Sequence, residues 1–420
     1  MIPAVPMGGE TDAYAPLRRP SFRRFLAGAF AANVGTQILK VAAGYEIYRS
    51  THSVQALLGL GLVAYLPILA LSLQAGWLVD RFERRGVLAG ALALQALSAA
   101  GLALLVHAGG PVWAWYPLLL VAASGRAIQS PAAVSVYPAL LEPKELSRGV
   151  TWNSATYQVG CVVGPLLGGL LLSGLGTTMT LGLVALGPLI CMALLPGLAL
   201  LRPFPPMADE RPRERLMGGF TFLGRNRAIL GALAVDFVAV LFGGVDGILP
   251  MFAADILRCG PVGLGALNAA PFVGSLIMSF RLAHRPRLKR PGRLMLGAVL
   301  AFGLCMLAFA VSRHLAGSLL ALLGSGLFDQ VSVYVRQSLV QLRTPEALRG
   351  RVQAVNFLFI GSSNELGECE SALSAWVLGP VGSVVLGGVA VLLVVLGAAR
   401  IFPELRRLKT LEPETAPEAP

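Results

Sequence analysis

The chain has 420 residues, of which 55% are apolar and 13% charged, and its mean hydropathy is +0.70. A soluble domain carries about 25% charged residues, so the composition predicts a membrane protein instead. The net charge of +12 does not indicate nucleic-acid binding, because the basic residues are spread over short loops between apolar runs. The five cysteines stand singly and no histidine cluster accompanies them, so we expect no metal site, no disulfide framework and no cofactor.

The apolar runs predict twelve membrane-spanning helices, because one crossing needs about 20 apolar residues. The predicted spans lie near 25–48, 55–79, 87–107, 113–139, 151–174, 178–201, 228–253, 261–282, 294–312, 316–341, 353–378 and 380–401. The expected division is a tail over 1–20, a six-helix half over 21–201, a linker over 202–227, a second six-helix half over 228–402 and a tail over 403–420. We therefore expect an all-α membrane protein without a soluble catalytic domain.

Most of the 34 Lys and Arg residues fall on one side of this arrangement, the side of both termini. In loops on the other side we find only Arg49, Arg258 and Arg313. Cytoplasmic loops carry the excess of basic residues, whereas a misplaced helix would scatter them onto both sides. We expect a multi-pass protein of a bacterial inner membrane with both termini in the cytoplasm.

Polar residues interrupt the first predicted span. Asn33, Gln37 and Lys40 are spaced four and three residues apart, so they share one helical face. An ionisable residue within a span costs about 2.5 to 3.5 kcal/mol on insertion scales, so it is expected to face a cavity or a partner. We predict that these residues contribute to a site for a substrate or a proton.

A short basic loop joins the second and third predicted spans. Its characteristic residues are Gly76, Asp80, Arg81, Arg84 and Arg85. The carboxylate at the end of one helix can pair with the arginines and with helix-end groups. The alternative is a tight basic loop that only fixes the membrane orientation.

The fourth and fifth predicted spans carry two further motifs. Arg126 lies near the middle of span four, and Gln129 follows one turn later. The small residues of span five are Gly160, Gly164, Pro165, Gly168 and Gly169. Small residues at this spacing let helices approach closely, and a proline permits a bend. A general packing face is the alternative to a specific transport motif.

The second half contains several acidic residues within predicted spans. Spans seven and ten hold Asp236, Asp246 and Asp329, and Arg336 is close enough to the inner end of span ten to extend to the interface. Span eleven holds Glu365 and Glu368, which are three residues apart and share a face. These carboxyl groups are candidates for proton or substrate binding. The alternatives are structural ion pairs and hydrogen bonds to neighbouring helices.

The loop motif, the Arg126-x-x-Gln129 pair and the glycine-proline motif resemble the major facilitator superfamily over nearly the whole chain. Glu83 departs from the loop pattern, which prefers glycine there. Segments 344–352, 362–368 and 402–407 are similar to the enterobactin exporter and macrolide efflux branch. The resemblance implies that the loop acts as a cytoplasmic latch and that the span-five motif favours export. It also implies that spans one, four, seven and ten line a central cavity.

These features predict a secondary transporter, not an enzyme, and most simply a proton-coupled exporter of a siderophore-like or drug-like small molecule by alternating access. No nucleotide-binding loop motif occurs, so ATP is not the expected driving force. The expected partners are a small-molecule substrate, protons and the lipid bilayer, with no nucleic acid, and we expect a monomer. A facilitator or importer of the same fold and a non-transporting sensor or scaffold remain the alternatives.

Overall fold

The computed structural model describes residues 14–199, 201, 212–284, 288–408 and 410–411. These residues form helices joined by short turns, and they contain no β-strand. The helices of the first part are α1 (Pro20–Thr51), α2 (Val54–Arg81), α3 (Arg84–His107), α4 (Trp115–Val136), α5 (Leu146–Val184) and α6 (Leu186–Leu194). Those of the second part are α7 (Pro212–Arg225), α8 (Arg227–Gly243), α9 (Leu249–Met251), α10 (Gly260–Ala283), α11 (Pro291–Val311), α12 (Leu315–Arg343), α13 (Glu346–Ile401) and α14 (Pro403–Arg407).

In the described part of the chain, nine helical stretches are long and apolar enough to cross a membrane. Two of them, 143–197 and 350–401, have 55 and 52 residues. At 1.5 Å per residue each would measure roughly 80 Å, far more than the ~30 Å hydrocarbon core. Helical geometry is interrupted in these stretches at Gly176 and Gly379, where φ is 74° and 75°. Only glycine adopts this backbone conformation easily, so each break lies where the sequence permits it.

The predicted seventh span is not one continuous helix. α8 ends at Gly243, and a 3₁₀ turn (Asp246–Ile248), α9 and a π-helical turn (Phe252–Ile256) follow. Two adjacent glycines weaken the helix, and Pro250 in α9 has no amide hydrogen to donate to the carbonyl of Asp246. The span predicted near 228–253 is present as one apolar helical stretch, Arg227–Ile256, and Asp246 lies at its interruption.

We call 14–199 the N-terminal segment and 212–408 the C-terminal segment. At the end of the molecule away from the termini, one buried core contains residues of both segments, among them Tyr48, Leu102, Phe252 and Phe309. At the end that holds the termini, the N-terminal and C-terminal segments have separate buried cores. In the described part of the chain, the two segments are thus packed together at the far end and share no common core at the terminal end.

The linker predicted over 202–227 forms a helix in its second part. Residues 202–211, the first thirteen residues and 412–420 lie outside the described ranges. α7 packs against α13, because Leu223 is buried and a Cβ added at Gly219 would lie 2.6 Å from the Arg351 carbonyl oxygen. The amphipathic stretch of the linker therefore covers the terminal end of the C-terminal segment.

Candidate functional site

The predicted polar face of α1 turns partly towards α5. Asn33 Nδ2 donates to the carbonyl oxygen of Tyr157 at 2.9 Å, and Gln37 Nε2 donates to Cys161 Sγ at 3.0 Å. These contacts stay within the N-terminal segment. Lys40, the third of the predicted residues, instead forms ion pairs with the C-terminal segment.

The glycines of α5 explain why α1 and α5 lie so close. A Cβ added at Gly160 would lie 2.3 Å from Asn33 Nδ2, and one at Gly164 would lie 2.5 Å from Gln37 Cβ. A Cβ added at Gly168 would lie 3.3 Å from Ile38 Cα, which is closer than ordinary van der Waals contact. A side chain at Gly164 would collide with Gln37 Cβ, and one at Gly160 would displace the Asn33 amide, so glycine at both positions permits the close approach of the two helices.

The same motif also forms a contact between the two segments. A Cβ at Gly169 would lie 2.5 Å from the carbonyl oxygen of Pro261, and one at Gly265 would lie 2.3 Å from the carbonyl oxygen of Pro165. α5 and α10 therefore touch backbone to backbone. The glycine-proline motif of α5 thus packs against the C-terminal segment as well as against α1.

Ion pairs cross this boundary near the middle of α1. Lys40 Nζ lies 2.9 Å from Asp246 Oδ2 and 2.5 Å from Glu368 Oε1. Lys40 belongs to the N-terminal segment, whereas both carboxylates belong to the C-terminal segment. One ammonium group therefore connects α1 with the interruption after α8 and with α13.

A second ion pair crosses the boundary from α4. Arg126 Nη2 lies 2.6 Å from Glu365 Oε1, and the two side chains are 40% and 11% exposed. Lys40 and Asp246 are 35% and 38% exposed. These groups lie in the middle of the molecule and between the segments, so their exposure means that water reaches them through an opening. We call Lys40, Arg126, Asp246, Glu365 and Glu368 the intersegment cluster.

Gln129 does not pair across the boundary. Its Oε1 accepts a hydrogen bond of 2.8 Å from Gln95 Nε2, and Gln95 is almost fully buried in α3. Sequence analysis missed Gln95, although a lone glutamine within an apolar span was a signal that it needs a polar partner.

Asp236 lies in a buried network of the C-terminal segment. Its Oδ1 accepts from Ser332 Oγ at 3.0 Å, and its Oδ2 lies 3.1 Å from Arg336 Nε. Arg336 also donates to Asn356 Oδ1 at 2.7 Å. Arg336 is 3% exposed, so the expectation that it extends to the interface was wrong. Sequence position places it near a helix end but does not show the carboxylate on the neighbouring helix.

Asp329 lies on α12, three residues before Ser332 and seven before Arg336, and therefore on the same face of this helix. It is not bonded to Lys40 or Arg126, the two basic residues of the intersegment cluster. The predicted acidic residues are therefore divided between two places. Asp246, Glu365 and Glu368 belong to the intersegment cluster, and Asp236 and Asp329 belong to the C-terminal segment alone.

The loop after α2 lies at the terminal end. The guanidinium carbon of Arg81 lies 5.6 Å from the centre of the Trp77 ring, and a Cβ at Gly76 would meet open space. The side chain of Asp80 lies outside the described part of the structure, so its pairing stays a prediction.

Two other arginines of this loop bind backbone carbonyls of the N-terminal segment. Arg84 donates to the carbonyl of Ser135 at 3.4 Å, in the last turn of α4. Arg85 donates to the carbonyl of Leu198, which follows the helical turn after α6. Cations are favoured at helix C-termini, so these contacts fix the loop against two helix ends.

A tyrosine closes the far end of the boundary. Tyr48 of α1 donates a hydrogen bond to Asp255 in the π-helical turn. Sequence analysis missed this pair, because two residues separated by 207 positions give no signal of contact. Among the described residues, no three His, Cys, Asp or Glu side chains converge in a way that could hold a metal ion.

Residues 11–418 match the family described as transmembrane secretion effector. The curated relatives include the enterobactin exporter EntS of Shigella boydii serotype 4 (strain Sb227), 29% identical over 404 residues, which covers 94% of this chain and 95% of the relative. EntS of Escherichia coli (strain UTI89 / UPEC) is 30% identical over 408 residues, with the same two coverages of 94% and 95%.

Solved structures share the fold at lower identity. The peptide transporter POT in complex with sulfate has a TM-score of 0.73 and 14% identity, with coverage of 96% of this chain and 100% of that chain. A bacterial homologue of the lysosomal transporter Spinster, in an inward-facing and occupied conformation, has a TM-score of 0.72 and 14% identity, covering 94% of this chain and 99% of that one. The sequence relatives are transporters and not enzymes. The chain therefore belongs to the transmembrane secretion effector family of major facilitator superfamily transporters.

Proposed function

We propose that this transporter exports a small organic molecule, of siderophore or drug size, in exchange for protons by alternating access. The observation that carries the proposal is the intersegment cluster, in which carboxylates of one segment bind cations of the other. The enterobactin exporters among its relatives support export and a siderophore-like substrate.

The proposed membrane arrangement has twelve spans in two six-helix halves. The nine apolar stretches become eleven when the two overlong ones are divided at Gly176 and Gly379, and α4 adds one more. α4 is not among the nine apolar stretches, because the arginine near its middle lowers its mean hydropathy. With basic loops on the side of the termini, the positive-inside rule supports an inner-membrane protein with both termini in the cytoplasm.

In this arrangement the opening between the segments faces the cytoplasm. The far ends share one core, whereas the terminal ends have separate cores. This conformation suits an exporter that takes up its substrate from the cytoplasm. The opposite conformation would require the shared core to separate at the far end.

Protonation of a carboxylate in the intersegment cluster would link proton binding to the change between the two conformations. The three carboxylates of the intersegment cluster face two cations, so one bound proton balances the formal charge. A protonated carboxyl group loses the charge-assisted hydrogen bond that joins it to the opposite segment. Proton binding at Glu365 or Glu368 would therefore weaken the connection across the boundary and favour separation of the segments.

Transport in inverted membrane vesicles tests this proposal. A proton gradient, acidic inside, is imposed, and a panel of siderophores, macrolides and dyes is followed for uptake together with dissipation of the gradient. We expect at least one solute to accumulate and to collapse the gradient. Glu365→Gln should abolish the coupling.

Glu370→Gln is the matched control, because Glu370 lies on the same helix and does not bind Lys40 or Arg126. Uptake that ignores the gradient in the unmodified protein would identify a facilitator. Equal coupling in Glu365→Gln and the unmodified protein would exclude Glu365 as the coupling residue.

A further inference from the structure

The amide of Gln129 is held in one orientation by Gln95, its buried neighbour on α3. Gln95 Nε2 donates to the carbonyl oxygen of Ala91 at 3.3 Å and to Gln129 Oε1 at 2.8 Å. A backbone carbonyl only accepts hydrogen bonds, so the contact with Ala91 fixes which side of the Gln95 amide carries the nitrogen. Gln129 must therefore turn its oxygen towards Gln95, and its own amide nitrogen is left for another partner.

That nitrogen is accessible to water. Within the described part of the chain, Gln129 Nε2 makes no hydrogen bond and is not a buried atom. Gln129 lies one turn after Arg126 on α4, so the two side chains are neighbours on the helix surface. Arg126 reaches across the boundary to Glu365, which shows that this face of α4 is directed towards the opening between the segments.

Arg126 also has hydrogen-bond donors to spare. A guanidinium group carries five N–H donors and no acceptor. In Arg126, Nη2 binds Glu365 at 2.6 Å, and the other two nitrogens have no partner among the described residues. The side chain is 40% exposed, so these donors are open to a molecule that enters from the terminal end.

Arg126 and Gln129 together present donors and one positive charge to the opening. The guanidinium group has no acceptor, and the Gln129 oxygen is turned towards Gln95. An anionic oxygen group, such as a carboxylate, matches this arrangement, because it only accepts hydrogen bonds and pairs with guanidinium in a fork geometry. An ammonium group would meet donors and a like charge here, with no acceptor to bind.

We propose that Arg126 and Gln129 bind an anionic oxygen group of the substrate, and that Gln95 positions Gln129 for this contact. The inference rests on the proposed export function, because it takes the substrate to enter the opening between the segments. It adds a chemical class, an acidic substrate, to that function. It also assigns a role to Gln95, which lies behind the site and does not touch the substrate.

An acidic substrate at this position competes with Glu365 for Arg126. A substrate carboxylate bound to Arg126 replaces Glu365 as its partner, and a proton bound to Glu365 removes the charge of the same pair. Either ligand alone therefore weakens the connection between the segments. An exchanger needs this property, because it must change conformation when it carries either ligand and remain in place when it carries neither.

The binding of three fluorescent probes tests the inference without transport. Dansylglycine, dansylamide and dansylethylenediamine carry a carboxylate, no charge and an ammonium group on the same fluorophore. Their dissociation constants are measured with the purified full-length protein in detergent at neutral pH. We expect the carboxylate probe to bind most tightly and the ammonium probe least tightly. Equal dissociation constants for the three probes, or no binding of the carboxylate probe, would overturn the proposal.

Gln129→Glu tests the contact directly, because it replaces the free amide nitrogen by an acceptor oxygen of nearly the same shape. It should weaken binding of the carboxylate probe about tenfold, with a smaller effect on the uncharged probe. Gln55→Glu is the matched control, because it adds the same charge at an exposed position at the start of α2. Unchanged affinity of Gln129→Glu for the carboxylate probe would contradict the proposed contact.

Gln95→Leu tests the positioning role. It removes the donor that orients Gln129, so it should lower the preference for the carboxylate probe over the uncharged probe. A merely structural role of Gln95 would weaken both probes by the same factor, and that result would refute the positioning role. Gln129→Glu keeps an acceptor for Gln95, so it tests the site even if Gln95→Leu does not fold.

The binding assay and the vesicle assay separate this inference from the proposed function. Uptake coupled to the proton gradient, together with equal binding of the three probes, would overturn the anionic site and leave the export function intact. Preferential binding of the carboxylate probe without coupled uptake would support the anionic site and overturn proton-coupled export.

Discussion

Glu365→Gln is the substitution that most directly tests how the intersegment cluster holds the present conformation. Glu365 of α13 accepts a hydrogen bond of 2.6 Å from Arg126 of α4, and this bond joins the two segments. Glutamine has nearly the same shape as glutamate but no charge. The substitution therefore weakens the connection with little change in packing.

The expected size of the effect follows from the bond and its surroundings. A hydrogen bond to a charged group contributes about 1.5 to 3 kcal/mol. Arg126 is 40% exposed, so water screens the pair and the lower value applies. A loss of about 1.5 kcal/mol shifts an equilibrium roughly tenfold. We therefore expect the population that is closed at the far end to decrease by about tenfold relative to the alternative conformation.

The distance between the terminal ends of the segments measures this shift. Spin labels at Glu83 and Lys289, both exposed, are placed in a variant without the native cysteines, and their separation is measured by pulsed electron resonance. We expect a long distance in the unmodified sequence and a larger short-distance population in Glu365→Gln. The reasoning is refuted if the two distance distributions agree, or if Glu370→Gln produces the same shift.

Three further predictions concern stability. Gly265→Val should destabilise the contact between α5 and α10 by about 1 to 3 kcal/mol, because the valine Cβ would collide with the Pro165 carbonyl oxygen. Gly174→Ala is the control, because a Cβ at Gly174 meets open space. Thermal unfolding of both variants in detergent measures the difference in stability. Asp236→Asn leaves the buried Arg336 guanidinium without its carboxylate partner, so it should lower the free energy of unfolding in denaturant by about 3 to 5 kcal/mol. Asp329→Asn should lower the free energy of unfolding by less. In the loop before α5, hydrogen bonds from Lys144 and Arg19 lower the pKa of Glu142. Burial raises the pKa of Glu145, but the hydrogen bond and charge of Arg19, together with the hydrogen bond from the Glu142 amide, lower this pKa below its usual value. This stabilisation is present above the unfolded glutamate pKa of about 4.3 and is lost as the pH falls through the lowered values, so the melting temperature of Arg19→Gln should fall less than that of the unmodified protein on acidification to about pH 3.

The position of the intersegment cluster bears on the alternative that the charged residues within the spans form only structural ion pairs. The charges within the spans could have formed structural ion pairs inside one segment. Asp236 and Arg336 do so, but Lys40 and Arg126 bind carboxylates of the other segment. A pair that crosses the boundary changes when the segments move, whereas a pair within one segment can persist.

The sequence by itself determined the helical membrane class, the family and most helix positions. These follow from local properties, since an apolar run of sufficient length must form a helix in a membrane, and the breaks at Gly176 and Gly379 lie at residues that tolerate them. The sequence also identified the ionisable residues that needed partners, because a charge within an apolar run is visible in the sequence alone.

Only the tertiary structure decided which partners those residues have. Lys40 binds Glu368 over 328 positions of chain, and Arg126 binds Glu365 over 239, and no local pattern encodes such a pairing. For the same reason, the sequence did not predict that Arg336 is buried or that Gln95 donates a hydrogen bond to Gln129. Helix spacing specifies which side chains share a face, but the packing of distant helices decides what that face meets.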